Sequence, residues 1–342
     1  MKRFLFIILV LLLYIFAGSA KAASSKIDTV YFQHGDRLTG EMLSLDKGIL
    51  KLKTDDGGTV SIEWKNIDSL CVLNPLRILK HNGGILYGQL FPSGKRQVCI
   101  LLDENGQTST IELQSIVELI QLEKRILDRL SGTLSAGFSF IKATKVSQLD
   151  FSGNVTYKGE KTIFSTNYSI VLTDDGESTT QRQTGGASFD RILPKNWSAL
   201  GKLLGESNSE FQLDLRTSIN TGISYNFIRS NSQTLQSGGG LSFNREFSGD
   251  LAQNNVEGII GLKYSLFILE SPKVTYNFDG YFLPGLNRFG RLRSEINTDL
   301  NWELFKDFYL KGSLFLSYDN KPLSGVDLHT DWGTSLGFEF KF

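Results

Sequence analysis

The sequence predicts an all-β protein in two parts. A C-terminal antiparallel up-and-down transmembrane β-barrel, with about 12 strands and a range of about 10 to 14, follows a small periplasmic β-domain made of two repeats. Three observations predict this class: long segments that alternate between apolar and polar residues, an export signal at the start of the chain, and a terminal strand that ends on an aromatic residue.

Composition excludes several other classes of protein. The 342 residues include 36 Lys and Arg against 36 Asp and Glu, so no basic surplus would attract nucleic acid. Only three His and two Cys are present, too few for His/Cys metal clusters or a disulfide-rich scaffold. We therefore expect no cofactor, no metal and no nucleic-acid partner.

The first 22 residues have the layout of a cleaved signal peptide. Lys2 and Arg3 precede an apolar run from Phe4 to Phe16, and small residues follow at Ala20 and Ala22. Thirteen apolar residues are fewer than the roughly 20 that a membrane-spanning helix needs. We expect cleavage after Ala22 and export of the remaining chain.

Residues 23–128 are predicted to form a β-domain from two repeats, about 26–73 and about 75–122. The segment 59–70 matches 108–119 at an offset of 49, and 35–40 matches 83–88 at an offset of 48. With 12 basic and 14 acidic residues, this region is interpreted as a spacer or as a docking domain for a periplasmic protein or the cell wall. Cys71 and Cys99 lie within apolar strands, where a cysteine usually behaves as a small buried hydrophobe, although an oxidising periplasm would permit a disulfide.

Residues 129–342 alternate with the period of a β-strand. The segment 292–304 is the clearest case, because its apolar and neutral residues fall on one face and its polar residues on the other. A membrane barrel presents the apolar face to lipid and the polar face to its interior. The polar face of this segment supplies the predicted lumen-facing residues, which are Arg293, Glu295, Asn297, Asp299 and Glu303.

Similar segments bring the predicted number of strands to twelve, counting two weaker ones at 179–192 and 197–204. The second of these could also be a helical turn. Every second link is short, whereas the alternate links at 205–216, 248–254, 284–289 and 319–328 are longer. Short periplasmic turns and long external loops are typical of outer-membrane barrels, and an even strand number keeps both chain ends in the periplasm.

The C-terminal strand ends with outward-facing apolar residues at every second position. This pattern resembles the signal that the outer-membrane barrel assembly machinery reads. The residues that carry it are Leu336, Phe338, Phe340 and Phe342.

The chain resembles the salt-induced outer-membrane protein family, exported β-barrels whose biochemical role is unassigned. The resemblance rests on the block 213–225, on Phe189-Asp190-Arg191 and on Trp197. Residues 36–40 and 59–62 resemble the N-terminal region of longer members, whereas 141–145 replaces an expected Gly-Asn turn. The resemblance implies a barrel fold and brings no catalytic or ligand-binding residues.

The sequence leaves three classes of function open. A structural or stress-related outer-membrane barrel, or a small passive pore, is favoured; its partners would be outer-membrane lipid and the assembly machinery. A receptor or adhesin that uses the long loops is the alternative. A lipid hydrolase is the least favoured hypothesis, and the chain is not expected to be an enzyme. The barrel half holds a single histidine, His329, with Ser324 near it in sequence but no nucleophile motif.

Overall fold

A computed structural model describes residues 28–122, 130–141, 146–209, 213–322 and 329–340. The predicted signal peptide at 1–22, Ser324 and Phe342 lie outside these residues. The all-β prediction is confirmed: the described chain forms 21 strands and two single turns of 3-10 helix. No helix in the described ranges is long and apolar enough to cross a membrane.

The N-terminal domain is a nine-stranded antiparallel sheet that folds over its own apolar core. Leu50, Leu70 and Ile78 are among its fully buried residues, so the domain has the core that an independently folding unit needs. Its strands are β1 Asp28–Phe32, β2 Arg37–Asp46, β3 Ile49–Thr54, β4 Gly58–Glu63, β5 Ile67–Lys80, β6 Ile85–Pro92, β7 Val98–Leu102, β8 Thr108–Glu112 and β9 Ile116–Gln121.

Strands recur within this domain at the spacing of the sequence repeat. Each strand of the first repeat has a counterpart about 48 residues later. In chain order, β1, β2, β3, β4 and the first half of β5 correspond to the second half of β5, β6, β7, β8 and β9. The 3-10 turns at Trp64–Asn66 and Leu113–Ser115 are separated by 49 residues, and the Trp64 indole N–H donates to the carbonyl of Leu113 at 3.0 Å. The long strand β5 therefore belongs to both units and joins them.

Both cysteines are free thiols. Cys99 is fully buried and Cys71 is half-buried. Burial raises the pKa of the Cys99 thiol to about 11, because the thiolate would lose its hydration. Cys99 therefore behaves as the small buried hydrophobe that the sequence suggests.

The C-terminal part is one twelve-stranded antiparallel sheet in which each strand pairs with the next along the chain. The predicted strand number and the antiparallel order are confirmed. The strands are β10 Leu130–Ile141, β11 Val146–Lys158, β12 Thr162–Asp174, β13 Thr179–Ile192, β14 Trp197–Asn208, β15 Leu213–Arg229, β16 Gln233–Ser248, β17 Leu251–Ile268, β18 Val274–Pro284, β19 Leu292–Phe305, β20 Phe308–Asp319 and β21 Thr330–Phe340.

Two features of the predicted connections are wrong. The expected long loops at 205–216 and 248–254 are only the links 209–212 and 249–250, because β14 to β17 continue well beyond their alternating apolar residues.

The two ends of the sheet carry different links. One end, called the turn end below, carries the links 159–161, 193–196, 230–232, 269–273 and 306–307. The opposite end, called the loop end, carries the longer link 285–291, and most of the expected loop at 319–328 lies outside the described residues.

Within the apolar band of this sheet, the two faces differ in polarity. Ile219 pairs with Phe243, and both are about half exposed on the outer face. Their neighbours Asn220 and Ser242 pair on the inner face, where Ser242 is buried. Strand alternation thus places apolar side chains outside and polar ones inside.

The sheet rolls up so that distant strands meet across its interior. The Arg182 guanidinium on β13 lies 5.8 Å from the ring centre of Phe315 on β20, although six strands separate β13 from β20 in the sheet order. Glycine permits a close approach between β15 and β16, since a Cβ on Gly240 would lie 2.1 Å from the carbonyl oxygen of Thr221. Between the described residues of β10 and β21, no hydrogen-bonded ladder closes the sheet.

Candidate functional site

The interior near the loop end holds a chain of ion pairs between neighbouring strands. Arg216 on β15 donates through Nε to Glu246 on β16 at 2.9 Å and through Nη1 to Glu206 on β14. Register explains the arrangement, because Arg216 is directly opposite both glutamates. The three side chains therefore crosslink three adjacent strands on their inner face.

Arg291, in the link between β18 and β19, extends this chain across the interior. Its Nη2 lies 2.9 Å from Glu246 Oε1 and 2.6 Å from Asp319 Oδ2 on β20, and its Nη1 lies 3.9 Å from Glu257 Oε1 on β17. The side chains of Arg291 and Glu257 are fully buried. One guanidinium thus joins the neighbouring strands β16 and β17 to β20, from which β18 and β19 separate them in the sheet order.

Arg293 on β19 completes the group. Its Nη1 donates to Glu257 at 3.1 Å and its Nη2 to Glu295 at 3.0 Å. Glu257 also accepts a bond of 2.9 Å from Asn244 on β16. We call the connected side chains the ionic cluster; its members are Glu206, Arg216, Glu246, Glu257, Arg291, Arg293, Glu295 and Asp319.

A cavity of about 480 Å³ lies beside the ionic cluster. Its wall on β13 and β14 carries Arg182 and Lys202, and Asn297 and Phe315 line the facing wall. Among the described residues, neither Arg182 nor Lys202 has a carboxylate within ion-pair distance. The cavity can hold water or a small polar solute.

The structure distributes the five predicted lumen-facing residues along the inner face of β19. Arg293 and Glu295 belong to the ionic cluster, and Asn297 lines the cavity. Asp299 is exposed farther toward the turn end, in a groove with Asn301 and Lys311.

Glu303, the fifth residue, is buried at the turn end and has a different environment. Its carboxylate accepts from the main-chain N–H of Lys273 at 2.9 Å and from the Tyr309 hydroxyl at 3.3 Å. It therefore ties the link 269–273 to β19 and β20 and is remote from the ionic cluster.

Three of the four residues of the predicted assembly signal share the outer face of β21, and the fourth, Phe342, lies outside the described residues. Leu336, Phe338 and Phe340 are strongly exposed, at 59% or more. Phe338 stacks on Phe308 with ring centres 5.6 Å apart.

Sequence reasoning missed most of the ionic cluster. Arg216, Glu246 and Glu257 occupy polar positions of alternating segments, so the period-two pattern could have placed them inside. Arg291 carries no such signal because it lies in a link. His329, the candidate for a hydrolase, has its ring Nδ1 3.2 Å from the main-chain oxygen of Asp319.

In the described ranges, no three His, Cys, Asp or Glu side chains come together as metal ligands would.

The fold and the interior define the class of protein: a rolled antiparallel β-sheet with an apolar exterior and an ion-paired interior. The chain belongs to the family described as proteins of unknown function, DUF481, whose model matches residues 135–342. No curated protein matches the chain.

Proposed function

We propose that this protein is an outer-membrane β-barrel with a structural or stress-related role, whose interior is closed at rest by the ionic cluster. The observation that carries the proposal is the polarity of the twelve-stranded sheet, with apolar residues outside and charged residues inside. A soluble barrel would have the opposite arrangement, since its apolar residues must avoid water. The N-terminal domain would then lie in the periplasm, on the turn end.

Exposed apolar residues on many strands support the lipid-facing assignment. Phe138 on β10, Ile223 on β15, Ile260 on β17 and Leu336 on β21 are each more than half exposed. Monomeric soluble proteins rarely leave so large a contiguous apolar surface in water. Lipid hydrocarbon is the surrounding that stabilises this surface.

A neighbouring pair of residues tests the membrane assignment. Leu300 lies on the outer face of β19 and Asp299 on its inner face. Leu300→Arg should destabilise the folded protein by about 2 to 4 kcal/mol if it sits near the middle of the bilayer, whereas Asp299→Asn should have little effect. The measurement is urea unfolding in lipid vesicles, followed by heat-modifiable gel mobility. Equal losses at the two positions would contradict the orientation of the sheet.

The cavity favours a small passive pore as the second candidate function. Its 480 Å³ and its polar lining would admit a small solute if the ionic cluster rearranged. Single-channel conductance of the purified protein distinguishes the two functions. We expect no steady conductance at neutral pH, and a stable open level would favour the pore.

A further inference from the structure

We propose that the N-terminal domain is a lid on the turn end of the barrel and controls access to the interior from that side. The inference goes beyond the proposed function. It needs a rolled sheet with an interior, which the contacts across the sheet supply, but it does not need lipid around the outer face.

The domain touches four of the five links at the turn end. Its contacts reach the links 159–161, 193–196, 230–232 and 269–273. These links join strands from β11 to β18, so they follow most of the rim. A domain that is in contact with this much of the rim lies over the opening.

Arg77, near the end of β5, anchors the domain to the first of these links. Its side chain is fully buried, and its Nη1 donates to the main-chain oxygen of Glu160 at 3.2 Å and lies 3.5 Å from that of Gly159. Its Nη2 pairs with Glu118 of β9 at 2.5 Å, and Lys158 of β11 lies 3.7 Å from the same carboxylate. If the domain left the rim, the guanidinium would lose acceptors that it has only in the docked arrangement, which favours docking.

Polar contacts on two further links add to this anchor. The Asn231 amide donates to the main-chain oxygen of Ile116 at 2.8 Å. Lys65 pairs with Glu270, and the Lys47 ammonium lies 5.0 Å from the ring centre of Phe267. The contacts are spread around the rim and are mostly polar, as expected of an interface that can open.

Turn glycines of the domain approach the rim more closely than any other residue type could. A Cβ on Gly83 would lie 2.6 Å from both the main-chain nitrogen and the side-chain oxygen of Asn196. A Cβ on Gly48 would lie 2.8 Å from the main-chain oxygen of Asn231. The lid is therefore seated by direct backbone approach at two points.

The sequence repeat supplies a matched control for one of these points. Gly35 occupies the same turn of the first repeat, 48 residues before Gly83. Both glycines have positive φ, 92° for Gly35 and 76° for Gly83, so alanine strains the backbone at either position. A Cβ on Gly35 meets nothing within 4 Å, and only Gly83→Ala therefore disturbs the rim.

The test measures how fast a thiol inside the barrel reacts. Ser188 lies on the inner face of β13 and is replaced by cysteine in the full-length protein, with Cys71→Ser to lower the background. A bulky water-soluble maleimide is added to the protein in detergent. The loop end is identical in all variants, so a change in rate reports the turn end.

Gly83→Ala should raise the reaction rate of the Ser188→Cys thiol at least about tenfold, and Gly35→Ala should leave it within about twofold of the parent. Equal rates in this pair would overturn the proposal. A second variant guards against misfolding of the domain: Asn231→Ala with Glu270→Gln alters only the barrel rim, and it should also raise the rate. An unchanged rate in that variant, with its barrel intact by heat-modifiable mobility, would likewise overturn the lid. Both rates are measured in detergent, so a protein that failed to insert into a membrane would give the same rates. Failure of the proposed membrane function can therefore be distinguished from failure of the lid.

Discussion

Arg291→Gln is the substitution that most directly tests the ionic cluster. Removing the guanidinium leaves Glu246 and Glu257, both at most 1% exposed, without one of their two arginines. Breaking a buried ion pair costs about 3 to 5 kcal/mol. Glu246 keeps Arg216 at 2.9 Å and Glu257 keeps Arg293 at 3.1 Å, so we expect a loss near the lower limit, about 3 kcal/mol.

The matched control is Arg288→Gln in the same link. Arg288 donates to the side-chain oxygen of Gln253 at 3.1 Å and to the main-chain oxygen of Lys321 at 3.3 Å, and it has no carboxylate partner among the described residues. It should cost about 1 kcal/mol or less. Urea unfolding of the purified protein in lipid vesicles gives both free energies. Equal unfolding midpoints for the two variants would refute the reasoning, because they would mean that the buried pairs contribute nothing beyond ordinary hydrogen bonds.

Two further predictions concern the close approach of β15 and β16 and the lid. Gly240→Ala should destabilise the barrel by about 1 to 3 kcal/mol, because its Cβ would overlap a backbone oxygen. The control is Gly201→Ala, whose Cβ would have no atom within 4 Å and which should not destabilise the barrel. Thermal unfolding compares the two variants. The hydrogen bond between Lys65 and Glu270 lowers the pKa of Glu270 and raises that of Lys65. Their contact is therefore complete from about pH 5 to about pH 10. It weakens below this range because the carboxylate is protonated, and above it because the ammonium is deprotonated. Energy transfer between probes on the two domains should be flat across this window, and a decline within it that persists in Glu270→Gln would show that another group controls docking.

The strands could be predicted from sequence because their signal is local. Alternation places each residue on a face without knowledge of its partners, and even the polar segment 179–192 has the bounds expected of it. The segment from 197 is a strand and not a helical turn, and it continues to Asn208. Its neighbours Ser188 and Asn220 show why: both flank Lys202 in register on the inner face, and pairing on two sides fixes an extended conformation.

Strand ends at the loop end could not be predicted in the same way. Beyond the apolar band both faces are polar, as in the run from Gln253 to Asn255, so the period-two pattern disappears while the hydrogen-bonded ladder continues. The actual turn is Gly249 and Asp250, where Gly249 adopts a positive φ of 55°. Glycine and aspartate are a familiar turn pair, but the adjacent polar residues concealed it within a longer apparent loop.

The ionic cluster depends on information that a single strand does not contain. Arg216 and Glu246 meet because of register, which the alternating pattern partly determines. Arg291 meets Asp319 and Glu257 because its link lies between their strands: Glu257 is bridged to Gly285 of the same link, and Asp319 pairs with Arg293 on β19. Sequence therefore predicts that the interior is charged, whereas the identity of the pairs requires the three-dimensional structure.

The two proposals close the two ends of the interior by different structures, and together they make a further prediction. In the proposed arrangement, the ionic cluster obstructs the loop end with side chains, whereas the lid covers the turn end with a separate domain. A solute that crosses the barrel must pass both obstructions in turn, so removing either one alone leaves the other to limit the flux. Arg291→Gln and Gly83→Ala should each give little conductance, and the double variant should exceed the sum of the two, although the substitutions lie at opposite ends and should be additive in unfolding free energy. Additive conductances would mean that each obstruction controls its own path, and a single continuous lumen would then be the wrong description of the interior.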